Sequence, residues 1–141
     1  MGINLKGKEK EINRYRNLIL KAGKAALSFT GARRKSLSIL LTDNQQMRKL
    51  NSQFRNVDSV TDVLSFPYGE KNSSYLGDVA ISLPKAREQA KEYREELEDE
   101  LARLVIHGIL HLKGERDDTP KAKKRMWAKQ EEILKLVKNQ R

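Results

Sequence analysis

Apolar residues recur along the chain with two different periods, and the changes of period mark out its elements. From Glu9 to Leu27, the residues Ile12, Leu18, Ile19, Ala22 and Ala26 follow the three-and-four spacing of one helix face. Lys35 to Thr42 alternates instead, with Leu37, Ile39 and Leu41 on one side, and predicts a strand. Gly31-Ala-Arg-Arg-Lys35 between them reads as a basic turn. Asp43 to Phe54 returns to helical spacing, with Thr42 or Asp43 as the cap. Thr61 to Phe66 is a short strand stopped by Pro67, and Tyr68 to Tyr75 is a polar loop. Leu76 to Leu83 is a further strand, after which Pro84 suits the first helical position of a segment over Lys85–Tyr93. Glu95 to Lys113 is the most apolar helix, ended by Gly114. Thr119-Pro120 then pairs a cap with a proline and opens a basic helix to about Lys138. Five helices among three or four short strands predict helices packed on one small mixed sheet.

Composition narrows the setting. A chain of 141 residues is long enough for a real core and predicts one domain, 1–141. No stretch approaches the ~18–20 apolar residues of a membrane span. The first residues lack the apolar core of a secretory signal, so a cytoplasmic setting is expected. There is no cysteine, so any metal has to be held by nitrogen and oxygen. A net charge of +10 and a pI near 9.9 favour a polyanionic partner, RNA or the ribosome first, although basic surfaces also serve solubility alone. Aromatic residues are only 6% of the chain and scattered, which argues against a stacking platform for single-stranded bases.

The chain has two histidines, and they stand four apart in Leu104-Val-Ile-His-Gly-Ile-Leu-His-Leu112. On a helix His107 and His111 share one face, with Cβ atoms roughly 5–6 Å apart, so both rings reach one cation. A single histidine on such a face is ordinarily a core residue bonded to a carbonyl. A pair at ligand spacing shifts the balance to a metal. A third ligand is expected just past Gly114, where Glu115, Asp117 and Asp118 follow. The metzincin pattern H-E-x-x-H-x-x-G-x-x-H puts its glycine at Gly114 and its third ligand at Asp117, which makes Asp117 the leading candidate ahead of Asp118 and Glu115. The competing reading is an acidic loop that caps the last helix. The glutamate that serves as base in zinc peptidases is replaced by Gly108, which argues against a peptidase and would let another strand or a substrate approach closely. Glu100, two turns before His107, reads as an exposed carboxylate or as support for the ligands.

Four segments together carry a resemblance. Leu50-Asn-Ser-Gln-Phe-Arg55, Thr61-Asp-Val-Leu-Ser-Phe-Pro67, Leu76-Gly-Asp-Val-Ala-Ile-Ser82 and His107-Gly-Ile-Leu-His-Leu-Lys-Gly114 occur in this order. They resemble the signature blocks of the YbeY family of rRNA-maturation endoribonucleases, from about residue 35 to the C-terminus. The resemblance implies an α+β fold: a mostly parallel four-stranded mixed sheet packed with about five helices, the zinc helix remotely like that of metzincins. It implies one zinc ion on His107, His111 and the ligand beyond Gly114, and a cleft lined by the Thr61–Phe66 strand. It implies single-strand RNA cleavage in maturation of small-subunit rRNA and in ribosome quality control, with rRNA and the ribosome or its proteins as partners and no small-molecule cofactor. Arg55 is implied near the metal as the phosphate-binding and catalytic residue. On its own Arg55 reads as a helix-end arginine in a surface ion pair.

The chain departs from the family at one point. Where the family has Tyr-Asp-His after the glycine, this chain has Glu115-Arg116-Asp117, so the third ligand is aspartate. That site is more negative and harder, and admits Mn or Ni beside Zn. Asp62 and Asp78 stand beside strands, either capping turns or orienting Arg55 or a ligand. Arg33-Arg34-Lys35 and Lys121 to Arg125 offer sequence-independent attraction for RNA, or are simply solvated faces. The alternative to the nuclease is a noncatalytic assembly or RNA-binding protein in which a metal only staples the loop after Gly114.

Overall fold

The computed structural model describes residues 2–70 and 72–140. The elements run β1 (Ile3–Lys6), α1 (Glu9–Phe29), β2 (Ser36–Thr42), α2 (Asn44–Arg55), β3 (Val63–Pro67), β4 (Tyr75–Ser82), α3 (Leu83–Glu92), α4 (Leu97–Leu112) and α5 (Pro120–Lys138). The sheet order is β1-β2-β4-β3. β1 and β2 are parallel, β2 and β4 are parallel, and β3 runs antiparallel to β4. Among the described residues this is the mostly parallel four-stranded mixed sheet with five helices that the family resemblance implies.

Three helix starts rest on side-chain caps. Asp43 Oδ1, rather than Thr42, accepts the Gln46 N–H at 2.9 Å. Thr119 Oγ1 accepts from Ala122 N at 3.1 Å. Ser82 Oγ accepts from Lys85 N at 3.1 Å, so α3 begins at Leu83 and Pro84 takes the second position. The sequence reading carried the preceding strand through Leu83 and passed over that serine. It also passed over β1, where Ile3 and Leu5 alone face inward against α1 and β2. Two apolar positions are too few to show a period.

The sheet has two differently covered faces. Leu37, Ile39, Leu41, Val79 and Ile81 point into the main core with α1 and α4. Leu64 and Ala80 point the other way, under Met47 of α2. α4 is the central helix: it packs on α1, α3, α5, β3 and β4. Its Leu101, Val105, Ile106, Ile109 and Leu110 are fully buried. It lies close against the sheet because residue 108 has no side chain. A Cβ there would stand 2.5 Å from Val79 Cγ1 and 3.1 Å from its Cγ2. At the same point the Ser65 hydroxyl of β3 donates to the Gly108 carbonyl at 2.9 Å. The close approach anticipated at Gly108 is thus made by the protein's own sheet.

β3 is an edge strand. Ser82 N donates to Asp62 O (2.9 Å) and Tyr68 N donates to Leu76 O (3.0 Å), so the even-numbered residues between them turn their backbone groups toward β4. Val63, Ser65 and Pro67 therefore face the open edge. The Val63 N–H is taken by Asp62 Oδ1 at 2.8 Å, the Ser65 carbonyl accepts from Arg55 Nη2 at 3.4 Å, and Pro67 has no N–H. Among the described residues, no helix is long and apolar enough to cross a membrane.

Gly108→Ala tests the seat of α4. Helix propensity alone would favour alanine by about 1 kcal/mol. Overpacking a closed contact costs typically 1–3 kcal/mol, or more where the neighbour is immobile. With a fully buried Val79 2.5 Å away, a net loss of about 1–2 kcal/mol is expected in urea unfolding. In the double variant with Val79→Ala the loss should be smaller than the sum of the two single losses, because the clashing methyls are gone.

Candidate metal centre

α4 brings His107 and His111 side by side, with ring centroids 4.7 Å apart and planes at 78°. Each ring is oriented from behind. His107 Nδ1 lies 2.7 Å from Gln130 Oε1 of α5, and His111 Nδ1 lies 3.0 Å from the Glu115 backbone carbonyl. Carbonyl oxygens only accept, so each Nδ1 carries the hydrogen and each Nε2 keeps its lone pair. The two Nε2 atoms face each other at 3.1 Å, and Asp117 Oδ2 stands 3.4 Å from that of His111. One ligand atom from each of the three residues falls within 4.8 Å of the others. Around a tetrahedral zinc with bonds near 2.1 Å, neighbouring ligand atoms stand about 3.4 Å apart. Two imidazole lone pairs and a carboxylate oxygen that converge on one point offer three donors to one cation, so the donor set fits a divalent metal. His107 is held below the ordinary histidine range, first by burial and then by the nearness of His111, against the pull of Gln130 and of Asp62 and Asp117. The neutral imidazole is the form a metal takes.

The loop carrying the third arm is built by the end of α4. Gly114, at φ +92°, takes the left-handed turn that closes the helix. Gly114 N then donates to His111 O (3.0 Å) and Glu115 N to Leu110 O (3.0 Å), which returns the Glu115 carbonyl to His111. The three acidic candidates part here. The Glu115 carboxylate is taken by Lys129 Nζ at 2.9 Å, and that of Asp118 pairs with Arg116. Asp117 is the one that turns to the histidines, and its half-exposed side chain opens the site to solvent.

A family model described as Endoribonuclease YbeY matches residues 3–138. The chain belongs to the YbeY endoribonuclease family. Members so named are hydrolases acting on RNA. Endoribonuclease YbeY of Acetivibrio thermocellus is 44% identical, with 74% of this chain and 75% of that protein covered. The Bacillus cereus protein of the same name is 36% identical, with 90% and 86% covered. The solution structure of a Thermotoga maritima protein matches with a TM-score of 0.71 at 31% identity, covering 98% of this chain and 90% of that one.

In this YbeY-family chain Arg55 lies at the end of α2 and lines a cavity of about 680 Å³ with Lys6, Ser38, Phe54, Phe66 and Asp78. His107 and Asp117 line a different cavity, of about 470 Å³, with Asp62, Gln89, Tyr93, Glu95 and Lys123. β3 links the two: Arg55 bonds the carbonyl of Ser65, whose hydroxyl bonds the carbonyl of Gly108 next to His107. Asp62 caps the start of β3 and accepts from Gln89 Nε2 at 3.2 Å, so it tethers α3 rather than Arg55. Asp78 accepts from the Tyr75 hydroxyl. Arg33, Arg34, Lys121, Lys123, Lys124 and Arg125 are exposed, whereas Lys35 donates to Ser73 O at 2.7 Å.

Glu100 is not the exposed carboxylate expected. It is 3% exposed and receives Arg103 Nη1 at 2.8 Å. The reason is Arg103, a cation in the apolar run of α4 that sequence reasoning passed over. All five of its N–H groups are used, on Glu95, Glu100 and Glu131, and its guanidinium lies 5.8 Å from the Trp127 ring centroid. Gln130 was missed too, although a signal was present: it interrupts the buried stripe Met126, Ile133, Leu134 and Val137 of α5.

Arg103→Leu should cost about 3 kcal/mol at neutral pH, since it leaves the Glu100 charge buried without a partner. Burial already raises the Glu100 pKa, and Arg103 opposes that rise. A carboxylate with a raised folded-state pKa makes stability fall as pH rises from the unfolded value, near 4.5, through the folded one. Without Arg103 that window widens upward, so the variant's deficit should shrink between pH 7 and pH 5. A deficit that stays constant across this range, in urea unfolding, would show that Glu100 is not what makes the change costly.

Proposed function

We propose that the whole chain, 1–141, is one YbeY-like domain acting as a zinc-dependent, single-strand-specific endoribonuclease in small-subunit rRNA maturation and ribosome quality control. The observation that carries the metal reading is the pair of opposed Nε2 lone pairs 3.1 Å apart, with Asp117 beside them. His107, His111 and Asp117 would hold the ion. When bound, it supplies a Lewis acid that polarises a phosphate oxygen and makes a water more acidic. The protein's own groups do the rest. Gln130 and the Glu115 carbonyl hold the two rings in the ligating tautomer. Among the described residues Arg55 has one long contact, to Ser65 O, and its remaining N–H groups are available to take a phosphate through two parallel bonds. Lys6 lines the same cavity and adds a second positive charge for the RNA backbone. The exposed lysines of α5 extend that attraction toward the His–His–Asp cluster, where Lys123 lines the cavity. Asp117 in place of histidine leaves the bound ion with one less net positive charge and broadens the metals accepted. Membership in a family of endoribonucleases supports RNA as substrate. Ribosomal partners and a cytoplasmic site of action follow from rRNA as the target.

Purified protein should contain one zinc per chain by elemental analysis and should cleave single-stranded rRNA. A chelator should abolish cleavage and added zinc restore it. His107→Ala should lose the metal and lower cleavage by about 100-fold or more. Arg55→Lys should lower cleavage by about 10-fold at unchanged metal content. Cleavage that persists in the chelated protein would overturn the metal-dependent reading.

A further inference from the structure

We infer that Gln130 is a positioning residue that decides which nitrogen of His107 is free, and that a Glu131–Arg103 clamp holds its amide the right way round. The inference deepens the metal reading above and rests on it. A neutral imidazole carries its hydrogen on either nitrogen, and the partner of one nitrogen selects the tautomer. Gln130 Oε1 at 2.7 Å from His107 Nδ1 places the hydrogen there and leaves the Nε2 lone pair for the site.

An amide has two faces, and the wrong one would undo this. Flipped by 180°, Gln130 would present N–H groups to Nδ1, drive the hydrogen onto Nε2 and block the ligand atom. Gln130 is 2% exposed, so water cannot take over either role. The direction is set at the other end of the amide, where Gln130 Nε2 donates to Glu131 Oε2 at 3.2 Å. A carboxylate only accepts, so a flipped amide would set oxygen against oxygen. Glu131 is held in turn by two N–H groups of Arg103, Nε at 2.9 Å and Nη2 at 3.1 Å. The remaining N–H groups of Arg103 are bound to Glu95 and Glu100, which fixes the guanidinium. Donation therefore runs from His107 through Gln130 to Glu131, which also accepts from Arg103 on its other side. It gives a polar residue in the apolar stripe of α5 a reason to be there.

The test uses the ¹⁵N-labelled, metal-free full-length protein, in which two histidines give two imidazole patterns. Both rings should show hydrogen on Nδ1 in long-range ¹H–¹⁵N spectra. In Gln130→Leu, His107 should move to the Nε2–H form or an exchanging mixture, while His111, bonded to Glu115, stays unchanged. Zinc affinity, measured with zinc alone against a chromophoric chelator, should fall 10–100-fold. Gln130→Glu, which can only accept once ionised, should keep the Nδ1–H pattern and bind zinc within about threefold of the parent. Glu131→Ala provides the same test should the leucine variant not fold: it frees the amide and should shift His107 the same way by a smaller factor. Hydrogen on Nε2 of His107 in the parent protein would overturn the inference. So would an unchanged His107 pattern with unchanged zinc affinity in whichever of these two variants folds. If the parent shows the Nδ1–H pattern but takes up no zinc, the metal reading fails while the Gln130 effect on His107 stands.

Discussion

The contact between α4 and the sheet at Gly108 is the constraint on which the site depends. One absent methyl group lets the helix backbone come down onto Val79, and the Ser65 hydroxyl locks it there. The histidines on either side of that point are thereby carried to the margin of the edge strand instead of being lifted away from it. The end of the helix fixes the rest, because the left-handed turn at Gly114 feeds the loop back onto His111. Packing, helix termination and the geometry of the His–His–Asp cluster are therefore one arrangement. The residue that takes a peptidase's base away is the residue that seats the helix.

Much of this was legible in the chain. The five helices follow from apolar spacing together with the cap and proline signals at Pro84 and Thr119-Pro120, and the His107–His111 pair and Asp117 follow from spacing along α4 and its exit loop. What escaped has physical causes. β1 holds only two inward residues, and a strand that short takes its identity from the partner it pairs with. Ser82 lies where a strand pattern and a cap overlap, and the strand pattern is the longer signal. Arg103 and Gln130 are polar residues whose partners are brought near by helix packing, and a single-sequence reading scores them one helix at a time. Glu100 was misjudged for the same reason: its burial depends on a guanidinium three residues away being fully engaged. Asp117 could be ranked ahead of its neighbours from spacing alone, but only the pairing of Glu115 with Lys129 and of Asp118 with Arg116 shows why those two are occupied elsewhere.

The charge of the molecule is unevenly spread. A chain of net charge +10 surrounds the cavity at His107 with Asp62, Glu95, Glu100, Asp117 and Glu131, against Arg103 and Lys123. Arg103 satisfies three of the carboxylates internally, and Asp117 remains for the histidines. On the proposed reading, the basic surfaces collect the polyanion over long range while the local field at the site is negative until a cation occupies it. The ion then has an electrostatic role before any chemical one, since it reverses the sign of the place a phosphate must enter.

The edge of β3 has a consequence for how the molecule keeps its own company. An open edge in a protein rich in apolar strands is a template onto which a second copy can add a strand. Of the three residues that turn outward here, Val63 has its N–H taken by the preceding aspartate and Pro67 has none to give. Arg55 covers the Ser65 carbonyl. An incoming strand would find a single outward N–H, that of Ser65, among these three positions. Solubility at that margin is thus secured by local side chains, and the strand can border the Arg55 cavity without inviting fibre-like association.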